Sequence, residues 1–420
     1  MFKPYIRSIR AFSANARKYL MASALHGLGF GLIMLFFNLY VLAWGHDQAF
    51  VGLLSGVTAL VTALVSVPIG VLLPRLGFRR GLAAGSLLLV LALLGWIVFP
   101  TRWMFVLGSC FLGVGSSFLH VSSSPLMVAV TRPEERTHLF GVQFGLNTVA
   151  GVGANLLGGF LPRVFAGITG RVIDGTSAYQ MVFWVALSVL LVALIPILRL
   201  RRMEGTRQPI PRWSDFASSR DVFSRLLLVQ VILSLGAGML MPFVNVFYRL
   251  QHGITDANLG TVFALSSLMT AIGSFLAPVV ADRLGKVRAI VVTQAMSFPF
   301  LVLMGFAPSV GLSATGYIIR TAFMNMSTPV MMAYAMSLVP SAQRPLAASL
   351  MTLAWNGGWA VASWISGHIQ VSAGFTPLFA ITGTLYVTMT VTFYVLFRNR
   401  SAVAETDVAD GLPLAEDEKA

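Results

Sequence analysis

The sequence predicts an all-α membrane protein with twelve transmembrane helices in two homologous six-helix halves. Three observations lead to this prediction. Hydrophobic residues make up 56% of the 420-residue chain and charged residues only 10%, which is too few to cover a surface in water. Apolar runs of roughly 20 residues, the length that crosses a hydrocarbon layer, recur throughout. Finally, residue types repeat between the two parts of the chain at a constant spacing.

The apolar runs place the spans in two sets of six. The first set lies near 20–43, 50–73, 81–99, 103–129, 139–162 and 179–199, and the second near 223–248, 258–280, 289–307, 311–338, 346–369 and 375–397. The chain accordingly divides into a cytoplasmic N-terminal segment 1–18, a first half 19–200, a cytoplasmic linker 201–221, a second half 222–400 and an acidic cytoplasmic tail 401–420.

The basic residues predict the orientation. With both termini in the cytoplasm, 24 of the 29 lysines and arginines fall in cytoplasmic segments, as the positive-inside rule requires. The net charge of +14 therefore reflects membrane topology, and no nucleic-acid partner is expected. We expect a multi-pass protein of the plasma membrane.

An internal repeat supports the two halves. Five residue types recur 208 positions apart (260 minus 52), and these pairs are Gly52 and Gly260, Arg75 and Arg283, Gly77 and Gly285, Arg80 and Arg288, and Arg136 and Arg344. Repeated halves are typical of transporters, in which a site between the halves faces each side of the membrane in turn.

The connection after the second span carries a longer motif. Residues 70–80 are Gly-Val-Leu-Leu-Pro-Arg-Leu-Gly-Phe-Arg-Arg, and residues 278–288 are Pro-Val-Val-Ala-Asp-Arg-Leu-Gly-Lys-Val-Arg. Both resemble the Gly-x-x-x-Asp-Arg-x-Gly-Arg-Lys pattern of the major facilitator superfamily, and the likeness covers nearly all of the chain. Pro74 stands where the family has an aspartate. The resemblance implies that family's twelve-helix fold and solute transport by alternating access.

The resemblance also implies a conformational latch between the halves in the outward-facing state. Its expected members are Gly77, Arg79, Arg80, Asp282, Arg283, Gly285, Lys286 and Arg288. Anchoring of the topology is the alternative role for Arg79 and Arg80. The family's antiporter motif on the fifth span corresponds to 150–159, which retains Gly158 and Gly159 but has Ala154 and Asn155 in place of Gly-Pro; small residues there allow close helix packing.

Charged and titratable residues inside the spans are candidates for function. Arg320 lies roughly 13 Å into the tenth span by helical rise, and it either binds an anionic group of the substrate or donates to oxygens between helices. His26 and His120 are candidates for proton coupling because histidine titrates near physiological pH; neutral histidines bonded to nearby serines are the alternative. All 15 acidic residues fall in loops or tails, and Asp47 and Asp256 are expected to cap the spans that follow them.

In the family, the first, fourth, seventh and tenth spans line a central cavity. Carried onto these spans and onto the fifth and eleventh, the resemblance implies a set of polar substrate-binding candidates, which interhelical hydrogen bonds would also explain. They are Asn38, His120, Asn147, Asn245, Arg320, Asn325 and Asn356.

These observations predict a secondary transporter of a small organic solute, with proton-coupled drug-type efflux as the favoured form. An anionic or sugar-like solute and a non-transporting sensor with a transporter fold are the alternatives. The chain has no Gly-x-x-x-x-Gly-Lys-Ser/Thr motif for ATP, and no enzymatic activity, cofactor or metal is expected. The expected partners are the solute, the lipid bilayer and a proton or ion gradient, and the protein is expected to be a monomer.

Overall fold

The computed structural model of the protein describes residues 12–132, 135–170, 176–201, 219–340 and 343–399. Within these ranges the chain is helical and contains no strand. Most of the predicted N-terminal segment and linker, and the whole acidic tail, lie outside the described residues. The helices are α1 (Ala14–Ala43), α2 (Gln48–Leu76), α3 (Phe78–Val98), α4 (Arg102–Val130), α5 (Arg136–Thr169), α6 (Thr176–Leu198), α7 (Arg220–Leu240), α8 (Val244–His252), α9 (Asp256–Leu284), α10 (Lys286–Phe306), α11 (Val310–Ser337), α12 (Arg344–Ala373) and α13 (Thr376–Phe397).

The seventh span is a broken helix, α7 and α8, joined by a 3₁₀ turn. Pro242 in that turn has no amide N–H, so the carbonyl group four residues earlier loses its helical partner. Ser363 of α12 donates to the carbonyl oxygen of Gly238 at 3.4 Å, and Ser366 donates to that of Met239 at 2.5 Å. Side chains of α12 therefore stabilise the interruption.

With α7 and α8 counted as one span, the described helices form twelve spans. Ten of them are long and apolar enough to cross a membrane. The other two are α11 and α12, which are 28 and 30 residues long but carry more polar side chains. Several helices extend beyond the predicted spans. A 30-residue helix is about 45 Å long, which exceeds the hydrocarbon thickness of about 30 Å. The ends of such a helix therefore lie outside the apolar run from which the span was predicted.

Glycines make the turns of the repeated motif. Gly77 ends α2 and Gly285 ends α9, each with φ of +79°, a backbone conformation that glycine adopts without steric cost. Helices α2 and α3 and helices α9 and α10 begin and end at positions 208 residues apart (256 minus 48). We call the end of the bundle that holds these two turns the basic face, and the other end the opposite face.

The two expected caps on the opposite face have different outcomes. Asp47 caps α2, since its carboxylate accepts from the Phe50 amide at 2.8 Å, and that prediction is confirmed. For α9 the prediction is wrong, because Thr255 is the cap and accepts from the Asn258 amide at 3.3 Å. Asp256 is the first helical residue instead, and its side chain is buried.

Helices α1–α6 form one set of mutually packed helices and α7–α13 form another. The two sets meet mainly where α2 packs on α12 and α5 packs on α9. Glycine allows both approaches: a methyl group on Gly56 would lie 2.9 Å from the carbonyl oxygen of Ala360, and one on Gly159 would lie 2.7 Å from that of Asp256. The close packing expected for the fifth span is thus confirmed.

Candidate functional site

Hydrophobic packing between the two helix sets differs at the two ends of the bundle. Toward the opposite face one apolar core joins the sets, with Phe36 from the first and Phe243 from the second. Toward the basic face there are separate cores, one around Tyr19 in the first set and one around Tyr334 in the second. The sets therefore share one core at the opposite face and have separate cores toward the basic face, where the rings of Phe144 on α5 and Phe275 on α9 still contact each other at 5.7 Å between centroids.

A pair of asparagines joins the sets between α1 and α8. The side-chain amide of Asn38 donates to Oδ1 of Asn245 at 3.0 Å and to the carbonyl oxygen of Pro242 at 2.5 Å. Asn245 donates in turn to the carbonyl oxygen of Leu35 at 3.0 Å. These two predicted cavity residues contact each other in the sealed half. We call the cross-set contacts of that half the seam.

Further hydrogen bonds between side chains belong to the seam. Asn155 of α5 donates to Oγ of Ser267 on α9 at 3.2 Å, and Trp359 of α12 donates to Oγ of Ser55 on α2 at 3.2 Å. Asn155 stands in the departure from the antiporter motif, so the departure itself supplies a bond across the sets. None of these four residues was among the predicted site residues.

An ion pair between a buried carboxylate and a half-buried arginine also belongs to the seam. The carboxylate of Asp256 is paired with Nη2 of Arg249 and accepts from the Tyr179 hydroxyl at 3.3 Å. Arg249 and Asp256 belong to the second set, whereas Tyr179 is on α6 of the first. Sequence analysis missed this site because Asp256 was interpreted as a cap. The sequence signal for this ion pair was an arginine seven residues before an aspartate, with a glycine between them. In the structure that glycine, Gly253, has φ of +59°.

His120 and Asn147 are exposed in the half where the sets separate. On α4, Ser117 donates to the carbonyl oxygen of Thr62 on α2 at 3.0 Å, and Ser123 lies 2.5 Å from the Tyr19 hydroxyl on α1. His120 lies between these two residues along α4, and its Nδ1 lies 2.8 Å from the carbonyl oxygen of Ser116. His120 and Asn147 have positions suited to contact a solute.

Asn325 on α11 and Asn356 on α12 are half-buried. Each donates to a carbonyl oxygen one turn earlier in its own helix, Thr321 and Thr352 respectively, at 2.9 Å. Their side-chain oxygens make no hydrogen bond with a described residue. The structure thus keeps an acceptor available on both helices but does not bring the two residues into contact with His120 or Asn147.

His26 is half-buried inside the first set rather than between the sets. Its Nδ1 lies 2.9 Å from the carbonyl oxygen of Ala22, and its Nε2 lies 2.9 Å from Oγ of Ser86 on α3. The Ser86 hydroxyl also lies 2.8 Å from the carbonyl oxygen of Leu82. A neutral ring can accept from Ser86, and a protonated ring can donate to it while Ser86 turns to Leu82.

Arg320 is completely buried, with 0% of its surface exposed. Its guanidinium carbon lies 5.2 Å from the centre of the Tyr386 ring, and Nη1 lies 3.6 Å from Sδ of Met241. Nε and Nη2 have no hydrogen-bond partner. Arg320 therefore lies within the second set, held by an aromatic face and a thioether, with no described carboxylate paired to it.

The predicted latch residues lie on the basic face and form no hydrogen bond or ion pair between the sets among the described residues. Arg80, Asp282, Arg283, Lys286 and Arg288 are exposed, and Gly77 and Arg79 are half-buried. Asp282 forms no ion pair with a described residue. A latch that acts when the basic face is closed would be disengaged in this arrangement, so its role stays a prediction.

His46 lies near two charged residues at the opposite face. Burial lowers the pKa of His46, between α1 and α2, and the Arg102 charge lowers it further, while Asp47 raises it. His46 is therefore neutral at physiological pH. Among the described residues no group of three or more His, Cys, Asp or Glu side chains has the arrangement of a metal site.

Comparison with known proteins assigns the fold to a family. A sequence model described as Major Facilitator Superfamily matches residues 19–228 and 226–415. The chain belongs to the Major Facilitator Superfamily. The resemblance noted in the sequence is thereby confirmed, and the protein is a multi-pass membrane protein of a family whose transporters bind small-molecule substrates within the membrane.

Relatives in this superfamily include named drug-resistance proteins. Multidrug resistance protein MdtG of Enterobacter lignolyticus is 24% identical over 303 residues, which cover 67% of this chain and 68% of that protein. The uncharacterized MFS-type transporter YfkF of Bacillus subtilis is 29% identical over 82 residues, or 19% of this chain and 21% of that one.

Solved structures of the superfamily share the fold. The nucleoside transporter NupG has a TM-score of 0.72 at 12% identity, covering 92% of this chain and 100% of that one. A bacterial homologue of the human lysosomal transporter Spinster, in an inward-facing and unoccupied conformation, has a TM-score of 0.70 at 17% identity, with coverage of 94% and 95%.

Proposed function

We propose that this protein is a secondary active exporter that moves a small organic solute across the plasma membrane by alternating access. The observation that carries the proposal is the single apolar core at the opposite face beside two separate cores toward the basic face. Such an arrangement is one of the two states that a rocking pair of helix sets must visit.

The orientation follows from the charges. The positive-inside rule assigns the arginine-rich basic face, and with it both termini, to the cytoplasm. The state described is then inward-facing, and the seam separates the cavity from the outside. The 208-residue repeat supports two homologous halves, 19–200 and 222–400, that rock about the seam. A monomer contains both halves and suffices for this cycle.

The walls of the separated half favour a neutral or amphipathic solute. His120, Asn147, Asn325 and Asn356 provide hydrogen-bonding groups, with no carboxylate on the described parts of these helices between their ends. The names of the MdtG relatives support drug-type efflux. His26 and His120 are the proposed proton carriers of the first half, since histidine is the side chain that ordinarily titrates near physiological pH. The role is that of a carrier and not of an enzyme.

An anionic solute is the second candidate. The buried guanidinium of Arg320, with Nε and Nη2 unpartnered, favours it, because a carboxylate or phosphate would supply both missing acceptors. In that case Arg320 joins the solute-binding residues during the cycle, when α7 and α11 rearrange around Met241.

Transport in liposomes tests the proposal. Purified protein is expected to accumulate a neutral amphipathic dye in vesicles with an acidic interior, because proton exit drives dye entry in an exchanger. A dicarboxylate of similar size is expected to stay outside. Protein-free vesicles under the same gradient are the control.

The outcomes separate the candidates. Accumulation of the dicarboxylate instead of the dye would replace the first candidate with the second. If neither probe exceeds the protein-free control with the gradient in either direction, the transport proposal is wrong.

A further inference from the structure

The Asp256 carboxylate lies where the two helix sets meet. One of its oxygens contacts both Arg249, from the second set, and the Tyr179 hydroxyl, from the first, and Nη2 of Arg249 lies 3.4 Å from that same hydroxyl. Only 4% of the Asp256 surface is exposed. The ion pair therefore supplies the charge to which a residue of the other set is hydrogen-bonded.

The first set also contacts the backbone of Asp256. Gly159 of α5 packs directly on the Asp256 backbone, where a methyl group would lie 2.7 Å from its carbonyl oxygen. On α8, the ring of His252 packs against Phe247, 5.3 Å away between centroids, and not against the carboxylate. Within the described residues, Arg249 on α8 and Tyr179 on α6 are the charged or titratable groups that face Asp256.

The second carboxylate oxygen, Oδ2, has no hydrogen-bond partner although it is buried. That oxygen is free to take a proton once water reaches it. Protonation would remove the negative charge that the Arg249 guanidinium and the Tyr179 hydroxyl contact, which weakens both contacts in the closed seam. Separation of the two sets at the opposite face would hydrate the guanidinium. Proton binding and opening of the seam therefore favour each other.

We propose that Asp256 is a proton-binding site whose charge controls the seam. The ionised carboxylate holds the seam closed through Arg249 and Tyr179, and a proton taken from the outer solution stabilises the open form. The inference rests on the proposed alternating-access function and assigns the entry point of its coupling ion. It differs from His26 and His120, which belong to the first set and make no seam contact.

Distances between spin labels test the proposal. Trp103 and Val310, 83% and 39% exposed at the opposite-face ends of α4 and α11, are replaced by cysteines in full-length protein carrying Cys110→Ser. In lipid nanodiscs at neutral pH the parent is expected to show one short distance, and a longer distance should grow as the pH falls. Asp256→Asn is expected to raise the longer population at neutral pH at least tenfold and to abolish the pH response.

Asp47→Asn is the matched control, since Asp47 lies on the same face but is exposed and only caps α2. It should keep the parent's distances and pH response. Tyr179→Phe removes the hydroxyl of the first set without changing charge, and should also raise the longer population. It decides the question if Asp256→Asn does not fold.

Two results would overturn the inference: parent-like distances and pH response in Asp256→Asn, or, should that variant not fold, in Tyr179→Phe. Failure of the proposed function would differ from failure of this inference. It would appear as labels that do not move with pH or with transported dye and as vesicles without flux. If vesicles show flux and the labels move with the dye, but Asp256→Asn behaves like the parent, the proton site alone would be contradicted.

Discussion

Replacing Arg320 with methionine is expected to stop transport while making the folded protein harder to unfold. The guanidinium is fully buried, and two of its nitrogens have no hydrogen-bond partner. Each buried unsatisfied donor costs roughly 1–3 kcal/mol, whereas methionine fills much of the same volume with an adaptable apolar chain. We therefore expect the free energy of unfolding to rise by about 1–3 kcal/mol.

Transport should nevertheless fall by at least tenfold in this variant. The Arg320 guanidinium lowers the stability of the second set, so we expect it to have a role in the transport cycle. That role is expected at the step in which Met241, in the broken seventh span, moves. Thermal unfolding in detergent and dye flux in liposomes measure the two effects. Arg320→Lys is the control, since it keeps the charge but loses the planar group that lies over Tyr386, and it should show weak transport without the gain in stability.

The account of Arg320 would be contradicted by a lower unfolding temperature in the methionine variant with transport lost only in proportion to folded protein. That result would mean that the guanidinium is structural. Unchanged transport would likewise exclude a role in the cycle.

Substitution of Gly159 by alanine is expected to lower transport by about tenfold or more, whereas the same change at Gly151 should leave it at the parent level. The two glycines lie on α5, two turns apart. A methyl group on Gly159 meets the Asp256 carbonyl oxygen at 2.7 Å and Cα of Gly260 at 3.0 Å, while one on Gly151 meets nothing within 4 Å.

The expected size of the effect follows from the cost of overpacking. Forcing a methyl group into a filled contact costs about 1–3 kcal/mol, and a shift of 1.4 kcal/mol is about tenfold in an equilibrium. The cost falls on the sealed state alone, because the sets part there in the open state. Flux in liposomes and the spin-label distance across the seam measure it. Parent-like flux and a closed seam in Gly159→Ala would contradict the close approach of α5 and α9.

The helices and their order could be predicted from the sequence because hydropathy and turn chemistry are local. Gly77 and Gly285 mark the turns, and the apolar runs mark the spans. Helix ends were predicted less well, since α1 continues to Ala14 beyond the apolar run. Helices α11 and α12 have lower hydropathy than the other spans, and they carry Asn325 and Asn356, respectively. Hydropathy alone does not show which way those side chains face.

The seam could be predicted only in part. Asn38 and Asn245 were identified as polar candidates of the cavity, but their hydrogen bond depends on how the two helix sets dock. Asp256 was missed because an acidic residue at a helix start fits a cap equally well. Gly159 on another helix packs on its backbone, and no local pattern encodes this contact between residues 97 positions apart (256 minus 159).

The proposed state of the cavity is tested most directly by labelling a cysteine at position 120, in His120→Cys with Cys110→Ser, with a membrane-impermeant maleimide. The cavity should admit the reagent from the cytoplasmic face, so inside-out vesicles should be labelled and right-side-out vesicles should not. Adding Gly159→Ala should increase labelling from outside. Labelling of the parent from the outer face alone, or equally from both faces, would contradict a cavity sealed by the seam.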